Sequence, residues 1–343
     1  VDLHLTRPGV VAPVRIDPTG RAGPRRGEAR GRRWRTTSPR RVVPAEVDAG
    51  NAHQRIAERV AAMPAGCAAT GWAALHWQGE RWFNGIDAGG EPLAVPIATG
   101  DQVGLRQRDG LELLHGWLFD DDVIAVDGLP ITRPERSVFN AVTRAPWFEL
   151  GLQVAAMACA ADLVSLRELA RYTARLGSRQ HIRRMRMTVE LADENLWSPM
   201  EATMLLRWIE RGHPRPLANR PVFDRDGRHL LTPDLLDPAA GVVGQYDGTV
   251  HDLREVRRRD LAKEETCREL GLQVVTMIST DLRDEQAFGR RLDAAYRRAG
   301  EVRGRRRAWT IEQPPRWVDT STVALRRGLD DEQRRRWLGW RVG

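Results

Sequence analysis

Acids and an imidazole gather along the second half of the sequence at spacings that could do chemistry. Pro233-Asp234 lies in an apolar run from His229 to Leu236, and Val242 to Asp247 follows after a Pro238-Ala239-Ala240-Gly241 turn. Read as two strands of a hairpin, this spacing brings Asp234 beside the end of the second strand. There Gln245 and Asp247 share a face, because strand side chains alternate. Glu201 is the third residue of a helix opened by Ser198-Pro199, with Ser as N-cap and Pro at N1, and this helix can reach the same spot. His251 lies just past the strand end. Clustered carboxylates with an imidazole suit a hard divalent ion, Mg2+ or Mn2+, which takes one or two carboxylates plus waters and substrate phosphate oxygens. Such an ion supports phosphodiester hydrolysis by activating a water and stabilising the leaving oxyanion. Asp234 and Asp247 carry this expectation most directly, since an acid in an apolar strand is costly unless paired or metal-bound. Glu201 reads equally as a capping-box partner, and His251 as a cap on the strand end. Lys263, among Asp260, Glu264 and Glu265, reads first as a surface lysine. Asp226 and Asp237 read as turn residues.

The elements that must position these groups follow from periodicity. Met200, Met204, Leu205, Trp208 and Ile209 share one helical face, strands are predicted at Pro221-Val222-Phe223, His229–Leu236 and Val242–Asp247, and a charged helix runs from Arg254 to Leu270. Gly271 closes it, Leu272–Ile278 is a buried-type strand, and Asp281–Arg298 is a final helix. The order is α-β-β-β-α-β-α. Upstream, residues 149–195 read as helical, with Ser165 capping a helix to Arg175 and Gly177 separating it from a second. That pair is either a helix–turn–helix, with Arg179, Arg183, Arg184 and Arg186 on phosphates, or a plain helical bundle. Between 53 and 145 lie two short helices, several strands, an Asp127-Gly128 hairpin turn and a Thr132-Arg133-Pro134-Glu135 capping box. The stretch from 13 to about 50 carries nine arginines between Arg21 and Arg41 and reads as a low-complexity linker.

Composition bounds the function. The chain has 343 residues and a net charge of +8, with 54 basic residues against 46 acids, which makes an anionic partner plausible. Only Lys263 is a lysine, so the Arg content also reads as codon bias. Cys67, Cys159 and Cys267 form no Cys-x-x-Cys pair, which argues against a disulfide framework and a zinc ribbon and for a reducing, cytoplasmic compartment. No apolar run is long enough to span a bilayer, so no membrane partner is expected.

Pro233-Asp234, Gln245-Tyr246-Asp247-Gly248-x-x-His251, and a charged helix ending Leu270-Gly271-x-x-Val274-Val275 together resemble the Vsr-like (very short patch repair) endonuclease domain of the PD-(D/E)xK restriction-endonuclease-like superfamily. Arg7-Pro8-Gly9-Val10, Thr70-Gly71-Trp72-Ala73-Ala74-Leu75 and Thr132–Arg136 resemble, less specifically, an AbiEi-type antitoxin region found ahead of that domain in actinobacterial proteins. The resemblance implies an α+β and α/β multidomain chain. Residues 1–50 would be a wing remnant of an upstream winged helix–turn–helix plus a disordered linker; 51–146 an antitoxin-like α+β domain; 147–196 a helical connector; 197–300 the nuclease-like core; and 301–343 a Trp/Arg-rich tail. It implies a metal-dependent endonuclease acting on nucleic acid, double-stranded DNA first. Mg2+ (or Mn2+) would be held by Asp234, Asp247 and Glu201, with Gln245, His251 and Lys263 beside them, and Arg254, Arg257, Arg258 and Arg259 on phosphates. Relatives carry Glu-x-Asp-Gly where this chain has Gln245-Tyr246-Asp247-Gly248, and Asp247 stands at the superfamily's lysine position, leaving Lys263 as a migrated candidate. A neutral amide still coordinates through its carbonyl but neither offsets metal charge nor accepts a proton. The alternative is therefore a non-catalytic antitoxin-like or DNA-binding regulator that keeps the nuclease fold and engages a toxin or other protein partner.

Overall fold

A computed structural model describes residues 3–102, 104–248, 265–301 and 307–339. The chain is a mixed α/β protein that divides into two compact units, Val1–Arg144 and Ala145–Gly343.

In the first unit, strands β1 (Val14–Arg15), β2 (Trp34–Ser38) and β3 (Arg41–Pro44) form an antiparallel sheet in the order β1-β3-β2. The expected disordered linker at 13–50 is therefore folded. Composition misleads here because the apolar cover and the countercharge come from elsewhere in the unit. Val42 and Val43 are fully buried, and Arg35 pairs at 2.7 Å with Glu58 of helix α1 (Ala52–Ala61). The five-stranded sheet runs β6-β5-β4-β8-β7, built from β4 (Ala68–Ala69), β5 (Val95–Gly100), β6 (Leu111–His115), β7 (Val123–Val126) and β8 (Leu129–Thr132). Helices α1, α2 (Gly71–Trp77) and α3 (Pro134–Arg144) accompany it, and Ile56, Trp77, Ile97, Leu129 and Ile131 form its dry centre. The β7–β8 turn is two residues with positive φ at both, Asp127 at 49° and Gly128 at 76°, the geometry whose twist matches paired strands. Arg7 anchors the N-terminal segment to this turn, 2.8 Å from Asp127 and 4.5 Å over the Trp77 ring. The expected capping box at Thr132 is replaced by a buried polar cluster. Its hydroxyl bonds Thr70 and Ser137, each at 2.7 Å, because both partners lie inside the same core.

The second unit opens with α4 (Phe148–Ala160), α5 (Leu166–Leu176) and α6 (Ile182–Leu191). Ser165 caps α5 in a reciprocal box with Glu168. These helices are not a detached connector, since α4 packs on α7 (Pro199–Glu210), where Gln153 donates to Thr203 at 2.9 Å. A four-stranded sheet in the order β14-β13-β12-β9 joins β9 (Leu217–Ala218), β12 (Leu235–Asp237), β13 (Val242–Asp247) and β14 (Gln273–Ile278). β12 and β13 are an antiparallel hairpin, while β13 and β14 run parallel. The predicted strand from His229 to Leu236 is two strands in two sheets. β11 (His229–Leu231) pairs with β10 (Val222–Asp224), and the chain breaks at Thr232-Pro233-Asp234 before β12. Pro233 explains the break, because it offers no N–H to a ladder and restricts the residue before it.

Residues 265–269 are helical and Gly271 ends that helix, whereas 249–264 lie outside the described residues. Helix α8 (Glu285–Glu301) packs beside β14. The segment beyond it belongs to the same unit rather than to a separate tail. Its strand β15 (Trp309–Thr310) pairs with β10, Trp317 sits 4.9 Å from the Phe223 ring, and helix α9 (Val323–Arg327) carries a fully buried Arg326 bonded to Asp162 at 2.6 Å. Among the described residues no helix is long and apolar enough to cross a membrane.

Candidate functional site

The candidate site is built where α7 starts, the β9–β10 loop turns and the β12–β13 hairpin begins. Ser198 caps α7, its Oγ accepting from the Glu201 amide at 3.2 Å, and Pro199 occupies the first turn. This fixes Glu201 on the inner side of the helix, where it is 7% exposed. Its carboxylate does not close the expected capping box on the Ser198 amide. Oε2 instead accepts from the Trp197 amide at 2.8 Å and from Asn219 Nδ2 at 2.6 Å.

Asn219 links the site's pieces. Its backbone N–H donates to the Asp234 carbonyl at 2.9 Å, and its Nδ2 also donates to the Asn195 carbonyl at 2.7 Å. It adopts φ +44°, a left-handed conformation that Asn tolerates better than most residues. Sequence reasoning did not single it out, and the only local signal was an Asn in the turn-like Leu217-Ala218-Asn219-Arg220-Pro221 stretch.

Asp234 is half-buried beside Pro233, and its Oδ2 accepts the Tyr246 amide at 2.7 Å across the hairpin. The hairpin thus sets Asp234 against the Gln245–Asp247 end of β13, as the spacing predicts. Glu201 and Asp234 are close enough to feel each other. Burial raises the Glu201 carboxyl to about 7, and the negative charge of Asp234 adds to the rise. The Trp197 and Asn219 hydrogen bonds oppose it without reversing it.

The remaining expected residues divide. Gln245 is half-buried and Asp247 is exposed at the outer end of β13, opposite Ile278 of β14. Two residues of strand carry Asp247 about 7 Å further along than Gln245. Among the described residues no three His, Cys, Asp or Glu side chains form a group that could hold a metal ion. The expected three-acid set of Asp234, Asp247 and Glu201 is accordingly not assembled, because Asp247 sits out at the strand's open end. His251, Lys263, Arg254, Arg257, Arg258 and Arg259 lie outside the described residues. Asp237 is the turn residue expected, its Oδ1 accepting from the amides of Ala239 at 2.8 Å and Ala240 at 3.0 Å.

The donor set at this place is all oxygen: two carboxylates linked through Asn219, with an amide carbonyl and a third acid further along the strand. Two carboxylates meet the need of Mg2+, which completes its octahedron with water and substrate oxygens. No family model matches the chain, and neither a curated protein nor a solved structure does.

Proposed function

We propose that the second unit is a restriction-endonuclease-like core and that the chain is a metal-dependent phosphodiesterase acting on nucleic acid, double-stranded DNA first. The observation that carries this reading is the Glu201–Asp234 pair. Asn219 joins the two acids, its Nδ2 on the Glu201 carboxylate and its N–H on the Asp234 carbonyl, and the buried Glu201 is costly to ionise unless a cation joins it. Perturbed acids of this kind gather at functional sites. Asp234 and Glu201 would hold Mg2+ or Mn2+, with the Gln245 carbonyl and Asp247 nearest to substrate. When bound, such an ion polarises the scissile phosphate and lowers the pKa of the attacking water.

The chain's own groups then have separate tasks. The Tyr246 amide fixes Asp234 Oδ2 in place. The Trp197 and Asn219 donors fall on Glu201 Oε2, so Oε1 is the atom that would face the cation. Gln245 offers a carbonyl and no proton acceptor. Arg254, Arg257, Arg258 and Arg259 are assigned to phosphates from sequence alone.

A second reading, a regulator that keeps the fold and binds DNA or a protein partner, is favoured by Gln245 in place of an acid and by the exposed seat of Asp247. Nicking of supercoiled plasmid with Mg2+ or Mn2+ separates the two. The first reading expects relaxation by the wild type and at least about a hundredfold loss in Asp234→Asn, the scale of removing a group that stabilises transition-state charge. Equal nicking by both proteins overturns the site. DNA binding by both with nicking by neither supports the regulator.

A further inference from the structure

We infer that the α5–α6 hairpin is a second nucleic-acid contact, a docking surface for the sugar–phosphate backbone separate from the Glu201–Asp234 pair. Between Leu166 and Leu191 the sequence carries seven arginines and two glutamates. Helix α5 buries Leu169, Tyr172, Thr173 and Leu176. Arg167, Arg171 and Arg175 are thereby left on its exposed side at four-residue steps, roughly 6 Å apart along the axis. Helix α6 buries Ile182, Met185 and Thr188 and exposes Arg183 and Arg186.

Elsewhere in this unit arginines meet acids: Arg211 pairs with Asp293, Arg291 with Asp281, and Arg327 with Glu168. On the hairpin, among the described residues, Arg167, Arg171 and Arg183 have no hydrogen-bond or carboxylate partner, and Arg186 donates only to the Gly177 carbonyl at 3.1 Å. Neither local acid offsets them. Glu168 is held by Arg327 and the Ser165 cap, and Glu190, one turn beyond Arg186, makes no ion pair with it. Guanidinium forks left in solvent without a carboxylate are the donors whose geometry matches phosphate oxygens.

Arg167, Arg171 and Arg183, like charges without an acid on them among the described residues, repel one another and gather counter-anions, which a polyanion displaces with a gain in entropy. Such charges contact backbone and carry no base readout. The class of partner rests on the nucleic-acid reading above, but the docking requires no cleavage.

The test is fluorescence anisotropy with a labelled mixed-sequence DNA duplex, in EDTA, at several salt concentrations. The triple variant Arg167→Gln/Arg171→Gln/Arg183→Gln is expected to bind at least about tenfold more weakly. Its plot of log Kobs against log[salt] should be shallower by roughly 2–3, at about 0.9 for each phosphate that is no longer neutralised. Arg171→Glu alone should weaken binding more than Arg171→Gln, and both should melt like the wild type because the side chain is exposed and unpartnered. Wild-type affinity and slope in the triple variant overturn the proposal. So does poly-L-glutamate binding the hairpin as tightly as the duplex, which assigns the face to acidic proteins. Hairpin-dependent binding without metal-dependent nicking removes the phosphodiesterase reading and leaves this one standing; nicking with hairpin-independent binding does the reverse.

Discussion

Glu201 is the residue at which stability and function pull in opposite directions. Its carboxyl rises from an ordinary 4.5 to about 7 in the folded chain, chiefly through burial and then through Asp234. An acid whose folded pKa is raised holds its proton longer in the folded state than in the unfolded one. Below about 4.5 both states are protonated and folding loses nothing. Between 4.5 and 7 the unfolded state ionises first, so stability falls with rising pH, and above 7 the full loss persists. At about 1.4 kcal/mol per unit the loss is roughly 3–4 kcal/mol. Glu201→Gln keeps an oxygen for the Trp197 and Asn219 donors and carries no charge. It should therefore be more stable than the wild type at pH 8 by about that amount, with the difference vanishing near pH 4. Denaturant titrations at the two pH values check this, and a pH-independent difference means that Glu201 is not ionised against Asp234.

Glu201 and Asp234 were legible in the sequence because the Ser-Pro cap fixes where α7 starts and the Pro238-Ala239-Ala240-Gly241 turn fixes which end of β13 lies beside Asp234. Asn219 was not. Its contribution exists only once the β9–β10 loop has closed on Asn195 and Asp234, contacts made at separations of 24 and 15 residues. Nothing in local spacing encodes a long-range hydrogen bond of that kind.

At the scale of elements, the strands and helices of the core were readable wherever a single period ran between clear stops, as in β13 and α5. The reading failed where tertiary cover overrode composition, in the β1–β3 sheet, and where one proline divided an apolar run between two sheets, at Pro233. The close approach of α7 to the hairpin is a further element-level feature, and it depends on Gly244. A methyl group added there would stand 2.9 Å from the Trp208 ring, 3.2 Å from Met204 Sδ and 3.3 Å from Leu235 Cβ. Trp208 cannot swing aside easily, being fully buried with its Nε1 donating to Tyr296 at 3.1 Å. Gly244→Ala should consequently force α7 outward and destabilise the second unit by about 1–3 kcal/mol. Calorimetry should register this as a melting temperature lower by about 2–4 °C per kcal/mol. An unchanged melting temperature would show that the helix does not rest on the glycine.

At the scale of the whole molecule, the residues after 307 are part of the second unit's core although their composition reads as a tail. What composition cannot convey is the partner of a buried charge. Arg326 is fully buried, and its guanidinium donates to Asp162 Oδ1 at 2.6 Å, to the Cys159 carbonyl at 2.6 Å and to the Thr320 carbonyl at 3.0 Å. Asp162 in turn holds Arg334 at 3.0 Å on its other oxygen. One side chain therefore ties α9 to the end of α4 across 164 residues of sequence. Removing it leaves a carboxylate oxygen and two carbonyls without their donor, and losing one partner of a buried ion pair costs about 3–5 kcal/mol. Arg326→Ala should lower the melting temperature of the second unit by roughly 10 °C. Asp162→Asn should lower it less, because Arg326 keeps both carbonyls and the amide can still accept a hydrogen bond. The order of the two variants is the informative result. If Asp162→Asn is the more damaging, the ion pair rather than the carbonyl contacts fastens the segment, and if neither variant melts early, the segment is not part of the core.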